Sequence, residues 1–159
     1  MLDRIILASK SKVRKEILEK HKIYCEVRPS NVDEDIVKET LIKESASPEI
    51  ISKNLAELKA NKVSINQENR MVIGADSVID LNGELISKPE SREEALTILN
   101  KLNGKKHYLI SSVCISRNGS MIWNYTDKAE LIMKNFSEED LKVYLSKISD
   151  EALYGYNVY

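Results

Sequence analysis

Three stretches of the chain carry side chains whose types and spacing could do chemistry. Asp76 follows the apolar run Met71-Val72-Ile73 after only Gly74 and Ala75. A carboxylate there is costly to bury unless something pairs with it. Asp33, Glu34 and Asp35 stand in a row, and hard oxygen donors of this kind suit magnesium. Such a run is more often a solvated loop or the acidic first turn of a helix. Ser9-Lys10-Ser11-Lys12 and Arg14 lie where an apolar run gives way to a helical pattern. Free backbone N–H groups at a helix N-terminus bind phosphate readily. A capped helix with solvated lysines explains these residues equally well, and no glycine-rich loop makes them a nucleotide fingerprint. Two lysines complete the set. Lys59 has the ordinary reading of a stem that snorkels to water, and Lys88 that of a solvated edge charge. On local grounds alone, Asp76 is a strand-end turn residue.

The elements that must position these side chains follow from apolar periodicity and turn chemistry. Ile5 to Ala8 reads as a buried strand, followed by a helix with Ser11 as N-cap and with Val13, Ile17 and Leu18 turned to the core. Lys22 to Arg28 alternates as a strand, and Ile36 to Lys43 is helical. Ser47-Pro48 starts a helix, with Ile51, Leu55 and Leu58 as its buried stripe. Residues 71–89 form a hairpin around Asn82-Gly83, where both turn positions favour positive φ. That turn pairs Leu81 with Glu84. An unbroken ladder then sets Ser77 opposite Lys88 and Asp76 opposite Pro89. Opposed residues share a face, so Asp76 and Lys88 converge only if a bulge or an early end breaks the pairing. Ser91-x-x-Glu94 reads as a capping box opening a helix, with Ala95, Ile98, Leu99 and Leu102 buried and Asn103-Gly104 ending it. Tyr108 to Arg117 and Ser120 to Met133 are strands joined at Asn118-Gly119. His107 reads as structural or surface. Ser137 caps a last helix, with Leu141, Tyr144, Leu145 and Ile148 as its apolar stripe, and the closing ALYGYNVY is β-prone.

Composition limits the class of protein. The 159 residues suffice for one domain with a real core. With 42% hydrophobic and 31% charged residues, disorder is disfavoured. A formal net charge of -1 gives no global attraction to nucleic acid or membrane, so an anion site must be local. No basic face interleaved with aromatics points to nucleic acid. Cys25 and Cys114 fit a reducing, cytoplasmic setting and neither a disulfide framework nor a zinc site. The opening residues form no signal peptide and nothing approaches a membrane span. The expected fold is α/β: a long mixed, twisted sheet with β-hairpins, flanked by helices. Regular strand–helix alternation ends after Met71, which argues against a doubly wound dinucleotide fold.

Taken in order, these stretches resemble the Maf family. LASKSKVRKEIL at Leu7 to Leu18 is similar to that family's opening LASxSPRRxxLL, and Val32-Asp33-Glu34 to its acidic loop. LAELKA at Leu55 to Ala60 resembles the LAxxKA helix. IGADSVI at Ile73 to Ile79 resembles GADT with its apolar continuation, and NGELISKP at Asn82 to Pro89 the hairpin ending in KP. EEALTILNKLNGKKH at Glu93 to His107 resembles EAxxxLxxLSGxxH. The resemblance implies an ITPase-like, Maf-like fold and a hydrolase cutting nucleoside triphosphates to monophosphate and pyrophosphate with magnesium or manganese. House-cleaning of non-standard nucleotides and a link to septum formation belong to the same implication. By position, Asp76 is then the proton acceptor and shares the metal with Glu34. Ser9, Arg14, Lys59 and Lys88 grip the triphosphate, and Ser77 and Val13 stand where the base is chosen. Asp76 is expected to stay ionised because cations offset its burial. Val13 replaces an arginine of many relatives, and Ser77 a threonine. ALYGYNVY resembles a divergent AGAYGIQG after which relatives continue, so the expectation is a single Maf-like domain lacking their C-terminal end. A homodimer is compatible with this reading. The alternative is a non-catalytic nucleotide-binding regulator of septum formation acting through a protein partner.

Overall fold

The computed structural model describes residues 4–156. In chain order these form β1 (Ile5–Leu7), α1 (Lys12–Lys20), β2 (Cys25–Val27), α2 (Glu34–Lys43), α3 (Pro48–Ser64) and β3 (Val72–Leu81). There follow β4 (Glu84–Ile86), α4 (Arg92–Leu102), β5 (Lys106–Arg117), β6 (Ser120–Ile132), α5 (Glu138–Lys147) and α6 (Asp150–Tyr156). The strands hydrogen-bond in the order β2-β1-β3-β5-β6, with β4 paired to β3. β1 runs parallel to β2 and β3, whereas β4 is antiparallel to β3. The fold is therefore the mixed α/β sheet with hairpins and flanking helices that the patterning implies.

The described chain divides into two compact units. One comprises the residues up to Ser77 together with Ile110–Asp127, and the other Val78–Leu109 together with the residues from Lys128 onward. In the first, Ile6, Ala8 and Val72 form one small core and Ala56, Ala60 and Cys114 another. In the second, Ile79, Leu81 and Ile86 pack with α4 residues Ala95, Ile98, Leu99 and Leu102 and with Leu141, Leu145 and Leu153. The core face expected of α4 is the one observed.

Several local expectations are corrected. The β3–β4 ladder pairs Leu81 with Glu84, Asp80 with Leu85 and Ile79 with Ile86, and then stops. This is the early end to pairing that the sequence leaves open; Pro89 has no N–H with which to extend the ladder. Val13 and Ile17 are exposed. Helix α1 rests on the three-residue strand β2, which is too short to cover that stripe. Leu58 and Tyr144 are likewise exposed. Lys22 takes a φ of 62°, and β2 begins only at Cys25. The Ser91 hydroxyl accepts from the Glu94 amide, but the Glu94 carboxylate accepts from Glu90 rather than closing a capping box. A complete box occurs instead at Ser137 and Asp140. His107 is buried.

The segment read as β-prone at the chain's end is helical through Tyr156, and its last three residues lie outside the described ones. Ser149 explains the helix. Its hydroxyl accepts from the Ala152 amide and its carbonyl from the Leu153 amide, which caps the helix and turns Leu153 into the core.

Candidate active site

The site is built where α3 comes down on β3. A Cβ at Gly74 would lie 2.7 Å from the Ala60 amide nitrogen and against the Ala56 carbonyl. Only the missing side chain lets the helix backbone approach this closely. Asp76 is two residues beyond Gly74 and so shares its face of the strand. Lys59 is one residue before Ala60 on the helix. The close contact therefore delivers the Lys59 ammonium to the Asp76 carboxylate: Nζ donates to Oδ1 at 2.9 Å. Both residues are buried, at 5% exposure each. The snorkelling expected of Lys59 does not occur, because its partner lies inside.

Glu34 comes from a second direction. Asp33 is the N-cap of α2, its Oδ1 accepting from the Ile36 amide, so Glu34 opens the helix. Helix α2 packs on α3, and Glu34 Oε1 lies 2.8 Å from the same Lys59 Nζ. Lys38 Nζ stands 3.8 Å from Glu34 Oε2. One ammonium thus bridges two carboxylates, while Asp76 Oδ2 is buried without a hydrogen-bond partner.

A third element supplies Arg14. The Ser11 hydroxyl caps α1 by accepting from the Arg14 amide. Arg14 Nη1 donates to Ser9 Oγ at 3.2 Å and to the Ala75 carbonyl at 2.9 Å, next to Asp76. Ser9 Oγ also accepts from the Ser11 amide, so its own proton remains to be donated elsewhere. The strand–turn–helix junction and the acidic centre are thereby one constellation: Ser9, Arg14, Lys59, Glu34 and Asp76.

Burial dominates the electrostatics of Asp76. It pushes the carboxyl above its ordinary value, against the pull of Lys59, and the negative charge of Glu34 adds to the rise. Lys59, which divides its charge between two carboxylates, offsets the burial only in part.

Val13 is exposed on α1. Ser77 is exposed, and its hydroxyl bonds that of Ser111 at 3.0 Å; as the neighbour of Asp76 it points to the other face of the strand. Lys88 is an exposed residue just after β4, in the second unit. A row of hydroxyls under Asp76 has no signal in the sequence. Ser52 Oγ lies 3.3 Å from the Asp76 carbonyl and 3.0 Å from Ser112 Oγ, which lies 3.0 Å from Thr126 Oγ1. A serine on a buried helix stripe, as Ser52 is on α3, looks like a small core residue until its partners are known. A cavity of about 250 Å³ opens beside this row, lined by residues including Lys53, Glu57, Ser112, Cys114 and Thr126. Asp76 and Lys59 do not line it.

An acidic pair bridged by a buried lysine, beside a serine and arginine at a helix N-terminus, defines an α/β protein equipped to handle phosphate groups. The model of the family described as Maf-like protein matches residues 4–154, and the chain belongs to the Maf family. It is 67% identical over 159 residues to the nucleoside triphosphate pyrophosphatase of Pelagibacter ubique, covering all of this chain and 82% of that protein. Identity to the protein of the same name from Ruegeria pomeroyi is 38%, over 97% of this chain and 79% of that one. Identity to the 7-methyl-GTP pyrophosphatase of Rhizobium etli is 31%, over all of this chain and 80% of that one.

Proposed function

We propose that the chain hydrolyses nucleoside triphosphates to the monophosphate and pyrophosphate, with Asp76 as the proton acceptor. The observation that carries this reading is the buried Asp76 carboxylate, held by Lys59 together with Glu34 and placed beside Arg14 and Ser9. The names of the relatives support the reaction class. Water attacks the α-phosphorus, the bond to the bridging oxygen breaks, and pyrophosphate leaves. Attack of this kind needs positioning and charge neutralisation more than covalent help. Asp76 takes the proton lost by the water, and its raised pKa makes it a stronger acceptor than an ordinary aspartate. Arg14 and Lys59 face the polyphosphate, and Ser9 donates its hydroxyl proton to it. Val13 and Ser77 border the base; one relative is named for 7-methyl-GTP and another for nucleoside triphosphates in general.

The residues fit a divalent cation. Glu34 and Asp76 offer hard oxygen donors, and Oδ2 of Asp76 is buried with no partner. Among the described residues no group of three or more acidic, histidine or cysteine side chains is gathered. Magnesium commonly takes one or two carboxylates and completes its shell with water and phosphate oxygens. Glu34 and Asp76 would hold it. When bound, such a cation offsets phosphate charge and makes a neighbouring water easier to deprotonate.

No helix among the described residues is long and apolar enough to cross a membrane, and both cysteines are free thiols. We read the enzyme as cytoplasmic, the reducing setting that two free cysteines suit. Pyrophosphate release from a panel of nucleoside triphosphates, with magnesium or manganese, tests the proposal. Asp76→Asn is expected to lower kcat by about 100-fold or more; a variant as active as the parent removes Asp76 from its role.

A further inference from the structure

Lys59 does something that gripping a phosphate does not require. Its ammonium lies 2.8 Å from Glu34 Oε1 and 2.9 Å from Asp76 Oδ1, between the two carboxylates that would receive a divalent cation. We propose that Lys59 is a stand-in cation that keeps free divalent metal off Glu34 and Asp76 and yields them only when a polyphosphate accepts its charge. The inference rests on the pyrophosphatase reading above and assigns it an order of loading: metal and triphosphate enter together, and metal alone binds poorly.

The argument is electrostatic. Lys59 and Lys38 together balance the charge of the two carboxylates, which leaves little net attraction for a free cation. A divalent ion joining them must either displace Lys59 or sit beside it. Displacement strands a buried ammonium, because Lys59 is only 5% exposed and an uncompensated buried charge is strongly unfavourable. Sitting beside it sets like charges a few ångströms apart in a partly desolvated place, where Coulomb energies are several times those in water. Lys38, 3.8 Å from Glu34 Oε2, adds to the repulsion on the other side of that carboxylate. A triphosphate changes both costs. Its oxygens replace the carboxylates as partners of Lys59 and supply further ligands for the metal. The buried, unpartnered Oδ2 of Asp76 is the donor left waiting for it.

The test is manganese binding without nucleotide, read from the electron paramagnetic resonance signal of free Mn²⁺. The wild type is compared with Lys59→Met and Lys59→Gln, and with Lys53→Met as a control. Lys53 pairs with Glu49 on the exposed side of α3, so its removal tests a general loss of positive charge. Both Lys59 variants are expected to bind Mn²⁺ at least roughly tenfold more tightly than the wild type, with Lys53→Met unchanged. Equal or weaker binding in the Lys59 variants overturns the proposal, as does an equal gain in Lys53→Met. Should the Lys59 variants fail to fold, the ¹⁵N resonance of the Lys59 ammonium in the wild type decides. It is expected to stay in place when magnesium alone is added, and to move when magnesium is added with a non-hydrolysable triphosphate. Displacement by magnesium alone overturns the proposal. Pyrophosphate release by the wild type is measured alongside. A protein that shows no turnover and yet gains manganese affinity without Lys59 refutes the enzymatic reading while upholding the metal-excluding role.

Discussion

At the scale of single residues, Asp76 and Lys59 depend on each other. A carboxylate at 5% exposure is held above its ordinary pKa of 3.8 because its desolvation outweighs the attraction of Lys59. Only the ionised form accepts a proton, so activity is lost as pH falls through the raised value. The acid limb of kcat/KM is therefore expected above pH 3.8. Lys59→Gln removes the main influence that lowers the pKa and moves the limb further up. In Lys59→Gln, which no longer holds metal off, raising magnesium opposes the shift and moves the limb down. Initial rates measured across pH at two magnesium concentrations check both directions. A limb that stays in place in Lys59→Gln would show that another group titrates.

At the scale of elements, the contact between α3 and β3 controls the site. Gly74 has no room for a methyl group against the Ala56 and Ala60 backbone. Gly74→Ala must push the helix outward and carry Lys59 away from Asp76. Overpacking of this kind costs about 1–3 kcal/mol, and kcat is expected to fall with it; urea denaturation and steady-state rates measure the two together. Helix α6 provides a contrasting case within the second unit. Leu153 is wholly buried there in the cluster with α4 and α5, so Leu153→Ala is expected to cost about 2–5 kcal/mol. Periodicity is a sound guide where a stripe meets a partner, as in α4. In α1 the stripe is present and the covering surface is not, so Val13 and Ile17 remain in solvent.

At the scale of the molecule, the functional reading predicts ligand-linked stability. A non-hydrolysable nucleoside triphosphate with magnesium is expected to raise the melting temperature in a concentration-dependent way. The stabilisation is about 2.7 kcal/mol at a hundredfold excess over Kd, or several degrees for a chain of this size. Magnesium alone, held off by Lys59, should give little of that shift, and thermal melts with each addition separate the two.

Local chemistry was legible without coordinates. The Ser11, Ser47, Ser91 and Ser137 caps, the Asn82-Gly83 and Asn118-Gly119 turns and the α4 core face all follow from nearest-neighbour rules. The order of the motifs pointed to the Maf family. Distances across the chain decided the rest. Whether a lysine snorkels or is buried depends on what stands 17 residues away in sequence, and nothing around Lys59 announces Asp76 as its partner. The same holds for the Ser52–Ser112–Thr126 row and for the early end of the β3–β4 ladder. Sequence by itself determined which residues are chemically equipped and which elements carry them, because caps, turns and periodicity are local. Only tertiary structure decided which charges share a partner, because burial and pairing are set by the close approach of α3 to Gly74.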